Sequence, residues 1–159
     1  MSNPESSPSL RHRAWVPRQS CPMARAAALV GDRWTLLILR EAFYGVQRYD
    51  DMRQDLDIPR SVLTDRLKRM VADGLLERFE YQEQGDRKRF GYALTPAGRA
   101  LAPVMVGLTE WGERFVTRKP APVGVQHKKS GEWLHLGLLD ARDRPVDWRD
   151  AAMARRPRR

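Results

Sequence analysis

Side chains able to do chemistry are sparse in this chain and, with one exception, scattered. There is one thiol, Cys21, and three histidines, His12, His127 and His135, lie far apart. No carboxylate pair, Cys–His pair or glycine-rich phosphate loop stands at catalytic spacing, which argues against an enzyme. A single cysteine makes neither an internal disulfide framework nor a multi-cysteine metal site, so no metal or cofactor is expected. The exception is a run of hydrogen-bonding and cationic groups, Arg60, Ser61, Thr64, Asp65, Lys68 and Arg69, followed by Arg87, Lys88 and Arg89. Their chemistry is contact, not bond-making. Asp65 can accept from cytosine N4 and Lys68 can donate to guanine, whereas Arg60 and Arg69 suit the phosphate backbone.

One helix must carry six of these residues. Between Ile58 and Gly74, Pro59 stops what precedes, Ser61 can accept from the N–H groups that open a helix, and Gly74 can supply a left-handed closing residue. On a wheel of about 100° per residue, Leu63, Leu67 and Met70 cluster opposite Ser61, Thr64, Asp65, Lys68 and Arg69. An ordinary surface helix gives the same wheel, so the neighbours decide. Before it, Tyr49 to Leu56 reads as a short helix with Met52 and Leu56 toward a core, and Asp57-Ile58-Pro59-Arg60 is a tight connection. That is the outline of a helix-turn-helix. After it, 75–83 and 90–94 read as strands around a turn at 84–89, giving a hairpin whose basic tip lands beside the polar helix. Upstream, residues 21–31 form a helix with Pro22 at its first position. Asp32 caps another over 33–42, apolar over most of its circumference and expected to be the most buried, and Tyr44-Gly45 ends it.

Thr95 and Pro96 open a last helix running to about Arg118, with a kink or break expected near Pro103. Leu101, Leu108 and Phe115 recur at sevens, with Val104, Met105 and Trp111 between them. This apolar seam is longer than a small domain easily covers: either a second chain covers it or the helix folds back on its own core. Residues 119–122 read as a linker. A hairpin around Lys129-Ser130-Gly131 follows; with a two-residue turn at Ser130-Gly131, His127 would face Leu134 and His135 would face Gln126. Leu134, Leu136 and Leu138 would then share a face, and residues 144–147 would add a third short strand. Net charge is +9, but residues 21–119 carry only +3 of it, against +2 over 1–20 and +4 over 120–159. Basicity alone therefore lends weak support to nucleic-acid binding. No run is long and apolar enough for a membrane span or a secretory signal, so a cytoplasmic protein with no membrane partner is expected.

Residues 21–118 resemble the HxlR-type winged helix-turn-helix transcriptional regulators. The resemblance rests on Cys21-Pro22, on Gly31-Asp32-Arg33-Trp34 through Arg40, on Ile58-Pro59-Arg60-Ser61 through Leu67, on Asp73-Gly74-Leu75, and on Tyr92-Ala93-Leu94-Thr95-Pro96-Ala97-Gly98, in that order. It implies a fold that is mainly α with a small β-hairpin wing (α+β), plus a short C-terminal β-rich extension. The expected organisation is a mobile arm over 1–20 that orders near Trp15, a DNA-binding and dimerisation domain over 21–118, a β-hairpin extension over 119–148 and a basic disordered tail over 149–159. The implied function is a transcriptional regulator, read as a repressor, binding double-stranded DNA as a homodimer on a pseudo-palindromic operator. Arg60, Ser61, Thr64, Asp65, Lys68, Arg69 and the wing's Arg87, Lys88 and Arg89 would contact DNA; Leu101, Val104, Met105, Leu108, Trp111 and Phe115 would pair the chains. Cys21 sits at a helix N-terminus that favours a thiolate, with Arg25 one turn along. Relatives that sense oxidants or electrophiles make it a candidate redox sensor, with a small-molecule or electrophile effector; the other reading is a residue that caps and packs. A winged-helix protein-interaction module that does not bind DNA stays open as the alternative.

Overall fold

The structure, a computed structural model, describes residues 18–82 and 87–152. Residues 1–17, 83–86 and 153–159 lie outside the described residues, and with them most of the arm expected over 1–20, hairpin-tip residues 84–86 and most of the tail expected over 149–159. The chain divides after Leu94 into two compact units. The boundary expected after 118 therefore falls inside the second unit, which groups the extension with the helix before it.

The first unit runs through a 3-10 turn (Arg18–Ser20), α1 (Pro22–Val30), α2 (Arg33–Phe43), α3 (Tyr49–Leu56), α4 (Arg60–Ala72), β1 (Leu76–Tyr81) and β2 (Arg89–Leu94). Local chemistry sets the ends. The Asp32 carboxylate accepts from the N–H groups of Trp34 (3.0 Å) and Thr35 (3.2 Å) and from the Thr35 hydroxyl. Burial alone would raise its pKa, but these bonds together with Arg66, 3.4 Å away, outweigh burial and hold the carboxyl below its usual range. Arg66 lies on α4, so the cap of one helix also tethers another. As expected, α2 is the most buried helix described: Thr35, Ile38, Leu39 and Glu41 are inside. It touches α3, α4 and β2.

The start of α4 differs from expectation by two positions. Its N-cap is Pro59 with no side-chain cap, so Ser61 sits inside the first turn instead of capping it. Proline's fixed φ already sets the chain's direction into the helix, and α4 begins directly behind it. The end is as expected. Gly74 takes φ +72°, the Gly74 N–H donates to the Val71 carbonyl and the Leu75 N–H to the Met70 carbonyl, the paired bonds of a Schellman motif. Leu63, Leu67 and Met70 are buried with Met52, Ile58 and Leu76.

β1 and β2 pair antiparallel from Leu76↔Leu94 to Tyr81↔Arg89, so Arg89 belongs to the strand and not to the turn. On the other edge of β2, Arg48 bridges Gly91 and the Tyr92 N–H donates to the Gln47 carbonyl at 2.8 Å. Gly91 faces Phe79 across the pair, and a Cβ there would come 2.5 Å from the Phe79 ring. That ring occupies the space a side chain would need.

In the second unit Thr95 caps α5 (Pro96–Arg99), accepting from the Gly98 N–H at 3.0 Å. The expected break occurs just before Pro103: α6 (Ala102–Gly112) restarts with Leu101 as N-cap and Pro103 in its first turn, where a missing N–H has no intrahelical partner to lose. A π-helical turn (Glu113–Thr117) continues it to Arg118 at φ +54°. β3 (Leu138–Leu139) pairs with β4 (Pro145–Val146), the expected third strand, and a 3-10 turn (Trp148–Asp150) follows. The preceding hairpin has a different register from the two-residue turn expected. Gln126 bridges Trp133, His127 faces Glu132, and the Gly131 N–H closes back on the His127 carbonyl at 2.8 Å, so four residues make the turn. Every buried hydrophobic residue among those described lies in the first unit.

The packing at Gly91 gives a stability prediction. Gly91→Ala should cost about 1–3 kcal/mol, seen as a lower urea midpoint, because the added methyl meets a ring held by the strand. In a Phe79→Leu background the same change should cost less; equal costs in both backgrounds would mean the ring is not the obstacle.

Candidate nucleic-acid interface

Seating Leu63, Leu67 and Met70 inward turns Ser61, Asp65, Lys68 and Arg69 outward, and all four are exposed. Ser61, Asp65 and Lys68 follow one another at i, i+4, i+7 and form a single stripe. Arg60, also exposed, stands at the first helical position. Thr64 is placed differently. It is half-buried on the flank of α4, and its hydroxyl lies 3.1 Å from the Tyr49 hydroxyl, which donates to the Arg60 carbonyl at 3.0 Å. Tyr49 thus joins the first residue of α3 to the first turn of α4. No local pattern signals it, because its partners lie 11 and 15 residues away.

The three cations of the hairpin are exposed but unlike one another. Arg87 lies beside the tip, Lys88 stands 3.2 Å from Glu80, and Arg89 stands 3.9 Å from Asp50 in the first turn of α3. Exposed pairs of this kind contribute about 0–1 kcal/mol, so they orient these side chains without committing them. Arg78 stacks over Phe90 at 4.1 Å and Arg48 over Tyr81 at 5.5 Å, adding cation–π contacts along the hairpin.

Cys21 is the N-cap residue of α1 and half-buried, but its side chain makes no cap hydrogen bond; only its carbonyl engages the helix, accepting from the Arg25 N–H at 3.1 Å. α1 buries none of its residues, and Met23 and Leu29 are exposed. Of the seam residues, Val104, Leu108, Trp111 and Phe115 are exposed and Leu101 and Met105 half-buried. One cluster of reactive residue types was not foreseen: Ser130 Oγ lies 2.9 Å from His127 Nδ1 and donates to Glu132 at 2.9 Å. These groups are exposed and close the extension's turn. Among the described residues no helix is long and apolar enough to cross a membrane.

Known proteins share this outline. The family described as HxlR-like helix-turn-helix matches residues 29–120. An HTH-type transcriptional regulator of Mycobacterium tuberculosis, Rv3095, is 44% identical over 111 residues, 69% of either chain. The crystal structure of PA1607 is 30% identical with a TM-score of 0.72, covering 86% of this chain and 96% of that one. The redox regulator HypR in its oxidised form is 28% identical with a TM-score of 0.53, covering 59% of this chain and 96% of that one.

The Tyr49 bridge can be checked by denaturant unfolding. Tyr49→Phe should cost about 0.5–1.5 kcal/mol, since it removes a hydroxyl shared by two helices. Ser61→Ala, on the open stripe, should stay within about ±0.5 kcal/mol. Equal effects would mean that the phenol does not hold α3 to α4.

Proposed function

This chain belongs to the HxlR-like helix-turn-helix family of transcriptional regulators, and from that premise we propose that it is a homodimeric repressor acting in the cytoplasm on a pseudo-palindromic operator. The observation that carries the reading is the open stripe Ser61–Asp65–Lys68, turned away from the core row Leu63–Leu67–Met70. In a two-fold dimer each α4 enters a major groove, with half-sites about one helical turn apart or a little more. Ser61, Asp65 and Lys68 read base edges, and Thr64, held by Tyr49, contributes where its flank meets the groove. Arg60 and Arg69 take phosphates at the margins, and Arg87, Lys88 and Arg89 take them from the wing. The α6 stripe Val104, Leu108, Trp111 and Phe115, with Leu101 and Met105 behind it, pairs the two chains. No observation favours the protein-interaction module.

Responsiveness to thiol-reactive signals belongs to the same proposal. Support comes from the likeness to HypR, described as a redox regulator, and from the placement of Cys21 at a helix start without a side-chain hydrogen bond. With one thiol per chain, oxidation joins Cys21 to a second chain or to a small thiol, two electrons and two protons passing to the oxidant.

Selecting bound sequences from a random DNA pool supplies the operator and tests symmetry and spacing together. On that operator, Lys68→Ala should cost about 1–3 kcal/mol and relax one base position, while Arg87→Ala and Lys88→Ala should each lower the salt slope by about one. Unchanged affinity and slope in a Lys88→Ala, Arg89→Ala variant would remove the wing from the interface. For the thiol, diamide should alter operator binding by the wild type and leave Cys21→Ser unaffected; an insensitive wild type would remove the sensor.

A further inference from the structure

The extension after α6 is fastened but has no core. Three anchors hold it. Glu113 accepts from the Ala121 N–H at 2.5 Å, and Glu110 accepts from the Leu136 N–H at 3.0 Å, with His135 Nδ1 at 3.4 Å from the same oxygen. The Leu136 side chain lies over Gly107, where a Cβ would come within 2.9 Å of it. Glu110 lies on a flank of α6 more than about 90° round the helix from the stripe residues Val104, Leu108 and Trp111, Gly107 stands between that flank and the stripe, and Glu113 follows in the π-helical turn that continues the helix. The extension therefore runs beside the stripe and leaves it open. Its own apolar side chains are open too: Trp133 is 61% exposed, Leu139 60% and Trp148 68%, and Leu134 and Leu138 are also exposed.

Area decides what this surface is for. The four stripe residues, each about half exposed, offer on the order of 400 Å² per chain, half of the ~800 Å² per partner in a standard interface. The extension's exposed rings and leucines add at least a similar area, since a Trp alone carries about 150–250 Å². Together they reach what a stable dimer needs, and they exceed the few hundred Å² that monomers ordinarily leave apolar and open. The anchors fix the extension to the same helical segment, residues 102–117, that carries the stripe.

We propose that the extension is a dimerisation arm: the exposed side chains of Trp133 and Leu139 seat against the α6 and extension surface of a second copy of this chain, widening the α6 pairing. This rests on the homodimeric reading above. In a two-fold arrangement the contact is made twice, so each arm is both giver and receiver. The likeness to PA1607 is consistent with an ordered arm, because 86% of the chain is more than residues 1–118 can supply.

Two measurements on the full chain test it. In sedimentation equilibrium, Trp133→Gln with Leu139→Gln should raise the dimer dissociation constant about 100-fold or more, as expected for removal of central apolar anchors. Should that variant fail to fold, a photoreactive benzophenone side chain at position 133 of the otherwise unaltered chain serves instead, in a mixture of light and 15N-labelled copies. Light-to-heavy cross-links into residues 102–152 support the arm; cross-links confined to one copy overturn it. A dimer constant unchanged in the double variant also overturns it, and would mean that the missing area comes from elsewhere, such as Met23 and Leu29 of α1. If the wild type dimerises and binds its operator while the variant pairs as tightly, only the arm fails. A monomeric wild type removes the dimeric reading and the arm together.

Discussion

The seating of Leu63, Leu67 and Met70 in the first unit is the constraint on which everything else about α4 depends. Those three positions repeat at four and three residues, so they allow one rotation of the helix about its axis. Turning α4 by a single residue, about 100°, would drive Lys68 one way, or Arg66 and Arg69 the other, toward Ile38 and Leu39 and expose a methionine or leucine in exchange. The desolvation of an unpaired charge forbids that. Which side chains face outward is therefore decided by what the core accepts, and the pairing of Arg66 with Asp32 adds a polar tether with the same rotational sense.

Elements ruled by their own backbone chemistry could be read from the residues in advance. Gly74 is left-handed because the closing bonds to Val71 and Met70 require it, and Asp32 caps because its short carboxylate reaches two N–H groups of the turn it precedes. The break before Pro103 follows from a ring that cannot continue a preceding helix. Where the deciding partner lies elsewhere in the chain, the residues alone were insufficient. Ser61 has the right type for a cap, yet the helix starts two residues earlier, behind Pro59. Thr64 has the right type for an open polar face, yet Tyr49, 15 residues away, holds its hydroxyl. Arg89 reads as one of three equal cations until strand register places it opposite Tyr81 and near Asp50. The hairpin of the extension misled for a related reason: Ser130-Gly131 suits a tight turn, but the contacts among His127, Ser130 and Glu132 favour a wider one.

The two units are stabilised by different means. The first buries a row of leucines, isoleucines and methionines and closes on itself. In the second, α5 and α6 are joined by one capped turn, and the following chain is held by carboxylates accepting from backbone N–H groups, with one leucine resting on a glycine. Such bonds fix direction well but withdraw little apolar surface from water, which is why the large side chains of residues 123–148 stay open.

The hydroxyl bridge from Tyr49 to Thr64 bears on how relatives of this chain could diversify. A position whose side chain is occupied in joining two helices cannot be exchanged freely, because a new residue there disturbs the geometry of its neighbour as well as its own contacts. Positions 61, 65 and 68 carry no such obligation and can vary one at a time. If α4 meets bases as proposed, drift in operator preference would run through those three sites, with residue 64 acting as a fixed fulcrum about which the rest of the alphabet changes.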